Sequence, residues 1–168
     1  MKDSLFGDSY DIVKRFFISE LKAIGYHVML DPHFTSAMKE EKQFYHFVGA
    51  SDQPGNKETK TAVFLDPDTG INANYSGITH VSPSYIIKTM NTCDIVLIFD
   101  QSFGRNEIKL DKMREKLSEV SHAGGSGFYY DSHASFLFAA KEASSLLEIK
   151  ERLIKSGLPK RKLIALTS

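Results

Sequence analysis

Three short apolar runs end on the same side chain, and that repeat constrains the fold more than any other feature. Tyr26–Leu30 runs into Asp31, Thr61–Leu65 into Asp66, and Asp94–Phe99 into Asp100. Each run is bounded by Pro, Gly or polar turn residues, the pattern of a buried strand. Stretches of helical periodicity separate them, so the chain reads as strand and helix in alternation. The expected fold is α/β: a three-layer α/β/α sandwich with a mostly parallel, Rossmann-like sheet, reduced in size, forming one domain over residues 1–168. Ligands bind outside the carboxyl ends of strands in such sheets, which places Asp31, Asp66 and Asp100 along one edge. The stretch TAVFLDPDTG is the densest, with Asp66 and Asp68 ahead of Gly70.

The helices follow from caps and periodicity. Residues 7–25 carry Asp8 or Ser9 as cap, Asp11 in the first turn, and Gly25 as terminator. Ile12, Val13, Phe16, Phe17, Leu21 and Ile24 form the apolar stripe. Asp11 and Lys14 stand three apart on one face, as an exposed pair or as part of a site. A second helix is expected from Thr35–Ser36 to about Val48, and a third opens at Ser82-Pro83-Ser84 and runs to Met90. Glu107–Val120 and Ser144–Ser156 complete the helices. Residues 50–60 and 71–81 read as loops, and Phe128–Tyr130, Ala134–Ala140 and Lys162–Leu166 as strands. The interruption at Asp131-Ser132-His133 is a hairpin turn or a bulge.

Composition narrows the function classes. Twenty-one basic residues balance 21 acidic ones, so no global basic field points to nucleic acid, though a local patch remains open. A single cysteine, Cys93, excludes an internal disulfide and a multi-cysteine zinc site. No apolar run approaches a membrane span, and the N-terminus lacks a signal-peptide core, which reads as a cytoplasmic protein with no membrane partner. Lys160-Arg161-Lys162 is a solvated turn or a phosphate contact.

GDSYDIVKRFF, FLDPDTG, IFDQSFGR and YDSHASF resemble the motif series of an uncharacterised bacterial family. More distantly, the chain is similar to class I S-adenosylmethionine-dependent methyltransferases, in particular those acting on an adenine N6 of large-subunit ribosomal RNA. Gly7, Asp11 and Lys14 match the Gly-x-x-x-Asp-x-x-Lys helix of those enzymes, and Asp66-Pro67-Asp68-Thr69 corresponds to their Asp-Pro-Pro-Tyr turn. The resemblance implies a nucleotide or nucleic-acid ligand, with Asp66 accepting from the amine that is methylated. It also implies S-adenosylmethionine held by Asp31, His33 and Thr35; Asp8 and Arg105 are separate candidates for substrate contact. Asp68 stands where that turn has a proline and Thr69 where it has an aromatic, and the segment between Asp31 and Asp66 has room for one helix and one loop.

The same carboxylates support a rival chemistry. Asp66 and Asp68, helped by Asp8, Asp11 or Asp100, offer the hard oxygen ligands Mg²⁺ prefers. Lys14 and Arg105 would then stabilise phosphoryl charge and His133 would move a proton, as in a phosphodiesterase or nuclease. A third reading is an inactive binding module.

Overall fold

The computed structural model describes residues 6–33, 39–56, 58–72, 79–104 and 108–166. Helix α1 (Ser9–Ala23) begins where Asp8 accepts from the backbone N–H groups of Tyr10 and Asp11, at 2.8 and 3.1 Å. It stops before Gly25, whose φ of +90° a side chain would strain. Its buried stripe is Phe17, Ile18 and Leu21; Ile12, expected in that stripe, stands exposed.

Next come β1 (His27–Asp31), α2 (Glu41–Val48), β2 (Thr61–Leu65), β3 (Gly70–Ile71), β4 (His80–Val81), α3 (Pro83–Met90) and β5 (Ile95–Asp100). They are followed by α4 (Lys109–His122), β6 (Ser126–Tyr130), β7 (Ser135–Ala140), α5 (Ala143–Lys155), a 3-10 turn at Lys160–Lys162 and β8 (Leu163–Ala165). Helix α2 starts at Glu41, later than its expected start at Thr35–Ser36, which lies outside the described residues. Among the described residues no helix is long and apolar enough to cross a membrane.

Six strands pair in the order β1-β2-β5-β7-β6-β8, while β3 and β4 form a separate two-residue parallel pair. The three runs that end on Asp are neighbours and parallel, as expected. The other half of the sheet is antiparallel throughout, which corrects the expectation of a mostly parallel sheet. Residues 131–134 are a hairpin turn that folds β7 back between β5 and β6. Strand β7 is buried on both faces and therefore reads as the same continuous apolar run that a parallel strand shows.

Alternation along the strands feeds two cores. Phe64, Leu97, Phe99, Phe136 and Phe138 pack with Phe17, Phe44 and Ile149, from α1, α2 and α5. Leu65, Val96, Ile98 and Leu137 pack with Ile86, Met113 and Leu117, from α3 and α4. After α2 the chain returns as Ser51, which bridges the edge of β1 away from β2: Leu30 donates to its carbonyl at 3.0 Å and it donates to Val28 at 2.9 Å. After α3 the chain returns as β5, on the far side of β2. These two crossovers leave the β1–β2 pair in opposite directions and over opposite faces, so they share one hand, as sheet twist requires.

The end of β5 is fastened separately. Asp100, fully buried, accepts from Ile71 N–H (3.0 Å), Ser102 N–H (3.1 Å), Ser102 Oγ (2.6 Å), Lys116 Nζ (2.7 Å) and Tyr129 Oη (2.7 Å). Burial and the neighbouring carboxylate together push the Tyr129 phenol well above its ordinary value, so it stays a donor. Gly70 lets β3 approach this carboxylate: its φ is +108°, and a Cβ there would lie 2.2 Å from Asp100 Oδ1. Truncating one partner of a buried ionic network leaves the others unpaired at a cost of about 3–5 kcal/mol. Urea unfolding of Asp100→Ala should therefore show a loss of that order, with Gly70→Ala also destabilised and Asp100→Asn in between.

Candidate functional site

Strand β2 runs out at Leu65, and the next peptide N–H, of Asp66, donates to Asp31 O at 3.0 Å. Register decides where the carboxylates go. Asp31 is paired with Leu65 and Leu65 with Ile98, so these three share a face, and Asp100 falls on it too. Asp66, one step past Leu65, turns to the opposite face beside Phe99. One strand position thus separates Asp66 from both other strand-end acids.

On the Asp66 face, α1 crosses the crevice. Lys14 Nζ donates to Asp66 Oδ2 at 2.8 Å and to Asp11 Oδ1 at 3.0 Å, all three side chains 5% exposed or less. Gly7 N–H donates to Asp11 Oδ2 at 2.9 Å, and the first turn of α1 adds its own positive end. The Lys14 ammonium also lies 5.0 Å from the Phe99 ring centroid and 5.7 Å from that of Phe44, within cation–π range. Burial alone would lower the Lys14 pKa, but Asp66 and then Asp11 outweigh it and hold it raised. Burial raises the Asp66 pKa, and the Lys14 attraction does not fully cancel it. The i,i+3 pair, which spacing alone allowed to be exposed, is buried on the floor of a crevice.

A cavity of about 120 Å³ opens above this floor, lined by Asp8, Tyr10, Asp11, Lys14, Asp66, Pro67, Asp68, Phe99 and Gln101. Ligand pockets for drug-sized molecules run roughly 300–1,000 Å³, so this one is smaller than those. At its rim Tyr10 Oη lies 2.7 Å from His133 Nε2, and the two rings stack at 5.5 Å. His133 itself is exposed, in the turn between β6 and β7. Asp8, Asp11, Lys14, Asp66 and Asp68 are therefore brought together, with His133 beside the mouth.

Asp100 is not part of the crevice; its five donors on the other face make it a structural anchor. Asp31 and His33 also belong to that other face. Asp31 Oδ2 accepts from Tyr85 Oη at 2.7 Å and lies 3.4 Å from His33 Nε2. Those partners hold the Asp31 carboxyl below its ordinary range despite burial, and the hydrogen bond raises Tyr85 to about 12. Thr35 and Arg105 lie outside the described residues. Sequence reasoning missed Tyr10, Phe99 and Gln101, although Tyr10 stands one helical turn before Lys14 and so shares its face.

The donor sets test the two implied ligands. S-adenosylmethionine held by Asp31 and His33 would sit across the sheet from Asp66, so these residues do not fit a cofactor facing the candidate acceptor. For Mg²⁺, Asp66 Oδ2 already carries an ammonium at 2.8 Å, which repels a second cation. Among the described residues no three His, Cys, Asp or Glu side chains are placed to hold a metal.

Fold and site together define a mixed α/β protein with an acidic, lysine-floored crevice at the end of its second strand. No family model matches the chain, and no curated protein or solved structure matches it.

Replacing Lys14 with Met should cost about 3–5 kcal/mol at neutral pH, because two buried carboxylates lose their cation. The pH dependence has a defined sign. A raised carboxyl pKa means the native state holds its proton more tightly, so protonation relieves the unpaired charge as pH falls. The difference in unfolding free energy between wild type and Lys14→Met should shrink from pH 8 to pH 5. The Lys14 contribution to wild type persists up to its unfolded pKa, about 10.4, and fades as pH climbs through the raised folded value.

Proposed function

We propose that this chain is a nucleotide- or nucleic-acid-binding α/β protein of three-layer, methyltransferase-like architecture, whose crevice takes the amino edge of a base. The observation that carries this reading is the charge of the floor. One ammonium is shared between two buried carboxylates, and Asp8 and Asp68 stand in the walls. Such a cavity favours a ligand that donates hydrogen bonds and repels one that brings anionic oxygens. Lys14, buried between its two carboxylates, is not open to a phosphoryl group, which weakens the hydrolase alternative.

An exocyclic amine would donate to Asp66 and Asp68, with Gln101 beside them. Phe99 lines the same cavity, and Tyr10 with His133 offers a flat aromatic surface at its mouth. Base–aromatic stacking is worth about 1–3 kcal/mol per base. The likeness of Asp66-Pro67 to the turn that receives an amine points to adenine among the amino-bearing bases.

A ligand that binds the native state raises its melting temperature by mass action. Adenosine should raise it in wild type, keep most of the effect in Asp68→Asn, and lose it in Tyr10→Ala. A rise with Mg²⁺ that Asp68→Asn abolishes would move the assignment to metal-dependent hydrolysis. No response to adenosine, S-adenosylmethionine or Mg²⁺ would leave a module that binds none of these ligands.

A further inference from the structure

The crevice is acidic, yet the same edge of the sheet turns basic farther along, towards β8. Strands β5 and β6 both run antiparallel to β7, so β6 ends on the edge where Asp66 stands. Strand β8 runs antiparallel to β6, pairing Leu163 with Tyr130, so the 3-10 turn Lys160–Lys162 that precedes it lies on that edge as well. Lys109 opens α4 just after the end of β5.

These cations are arranged around the hairpin that carries His133. Lys109 Nζ lies 2.9 Å from Asp131 Oδ1 and donates to Ser132 O at 2.5 Å. Lys162 Nζ lies 3.5 Å from Asp131 Oδ2, while Asp131 N–H donates to Lys162 O at 2.7 Å. Two ammonium groups thus share one carboxylate, and Lys160 and Arg161 are exposed beside them. One residue, Ser132, separates Asp131 from His133, at most about 7 Å of chain. Along the sheet the strand ends run from β2 and β5 at the acidic floor, past the β6–β7 hairpin that carries His133, to β8 with its basic turn.

We propose that the rim formed by Lys109, Lys160, Arg161 and Lys162 is the phosphate subsite for the ligand whose base enters the Lys14 crevice. The inference rests on the base-binding reading of that crevice and adds the group the crevice itself would repel. The shared chemistry is a phosphate ester, carried by a free nucleotide or by a single strand. Asp131 competes with that phosphate for the two lysines.

Isothermal calorimetry on the full chain tests this with adenosine, adenosine monophosphate, inorganic pyrophosphate and a single-stranded tetra-adenylate. Adenosine monophosphate should bind about tenfold more tightly than adenosine, and the advantage should fall as salt rises. The triple variant Lys160→Ala, Arg161→Ala, Lys162→Ala should lose the advantage while binding adenosine as wild type does. Asp131→Asn should instead strengthen adenosine monophosphate binding, a gain that a folding defect cannot produce. Equal binding of nucleoside and nucleotide in wild type overturns the proposal, as does an advantage that survives in the triple variant. If neither binds, the base-binding reading has failed, and pyrophosphate decides the rim alone. Pyrophosphate binding lost in the triple variant upholds the rim, and no pyrophosphate binding overturns it. Tetra-adenylate tighter than adenosine monophosphate identifies a strand as the source, and equal affinity identifies the free nucleotide.

Discussion

A lysine ammonium buried between two carboxylates is the interaction on which the rest of the site depends. Lys14 comes from the first helix and Asp66 from the end of the second strand, so their 2.8 Å contact ties α1 across the carboxyl edge of the sheet. Burying three charges is costly, and such a cluster is no evidence of stability by itself. What it does is fix geometry. With Asp11 held by the Gly7 amide and Lys14 set between two aromatic rings, the Asp66 carboxylate has one orientation. The cavity walls follow from that, since Asp8, Tyr10 and Asp11 belong to the turn that the ion cluster anchors.

The chain leaves β1 over one face and β2 over the other, and the cavity itself lies between the start of α1 and the ends of β2 and β5. Ser51, a single residue bridging the outer edge of β1, is enough to define the first departure. Neither the bridge nor the antiparallel return of β7 has a compositional signature. SFLFAA is a central strand buried on both faces, and direction leaves no mark on such a run.

Much of the site was legible in the sequence and part of it was misleading for one reason. The Asp8 cap, the Gly25 stop and the alternation that gives three parallel strands follow from local patterns, whereas joining Asp11 and Lys14 to Asp66 and Asp68 rested on the resemblance to a known helix and turn. The strand-end aspartates looked equivalent because each ends an apolar run. Which face each one points to depends on register between strands, and a shift of one residue reverses it. That shift sends Asp66 to the α1 side and leaves Asp31 and Asp100 on the α3 and α4 side. The partners that make Asp100 structural, Lys116 and Tyr129, are distant in sequence, so nothing local distinguishes it from a site acid.

The central claim is that a ligand meets the acids of one sheet face and not those of the other. Carboxyl-carbon NMR of the chain with labelled aspartate, titrated with adenosine, reads this directly. The account predicts shift changes at Asp66 and Asp68, carried to Asp11 through the shared Lys14, with Asp31 and Asp100 unmoved. Changes centred on Asp31 or Asp100, or a silent Asp66 in the presence of bound adenosine, would contradict it.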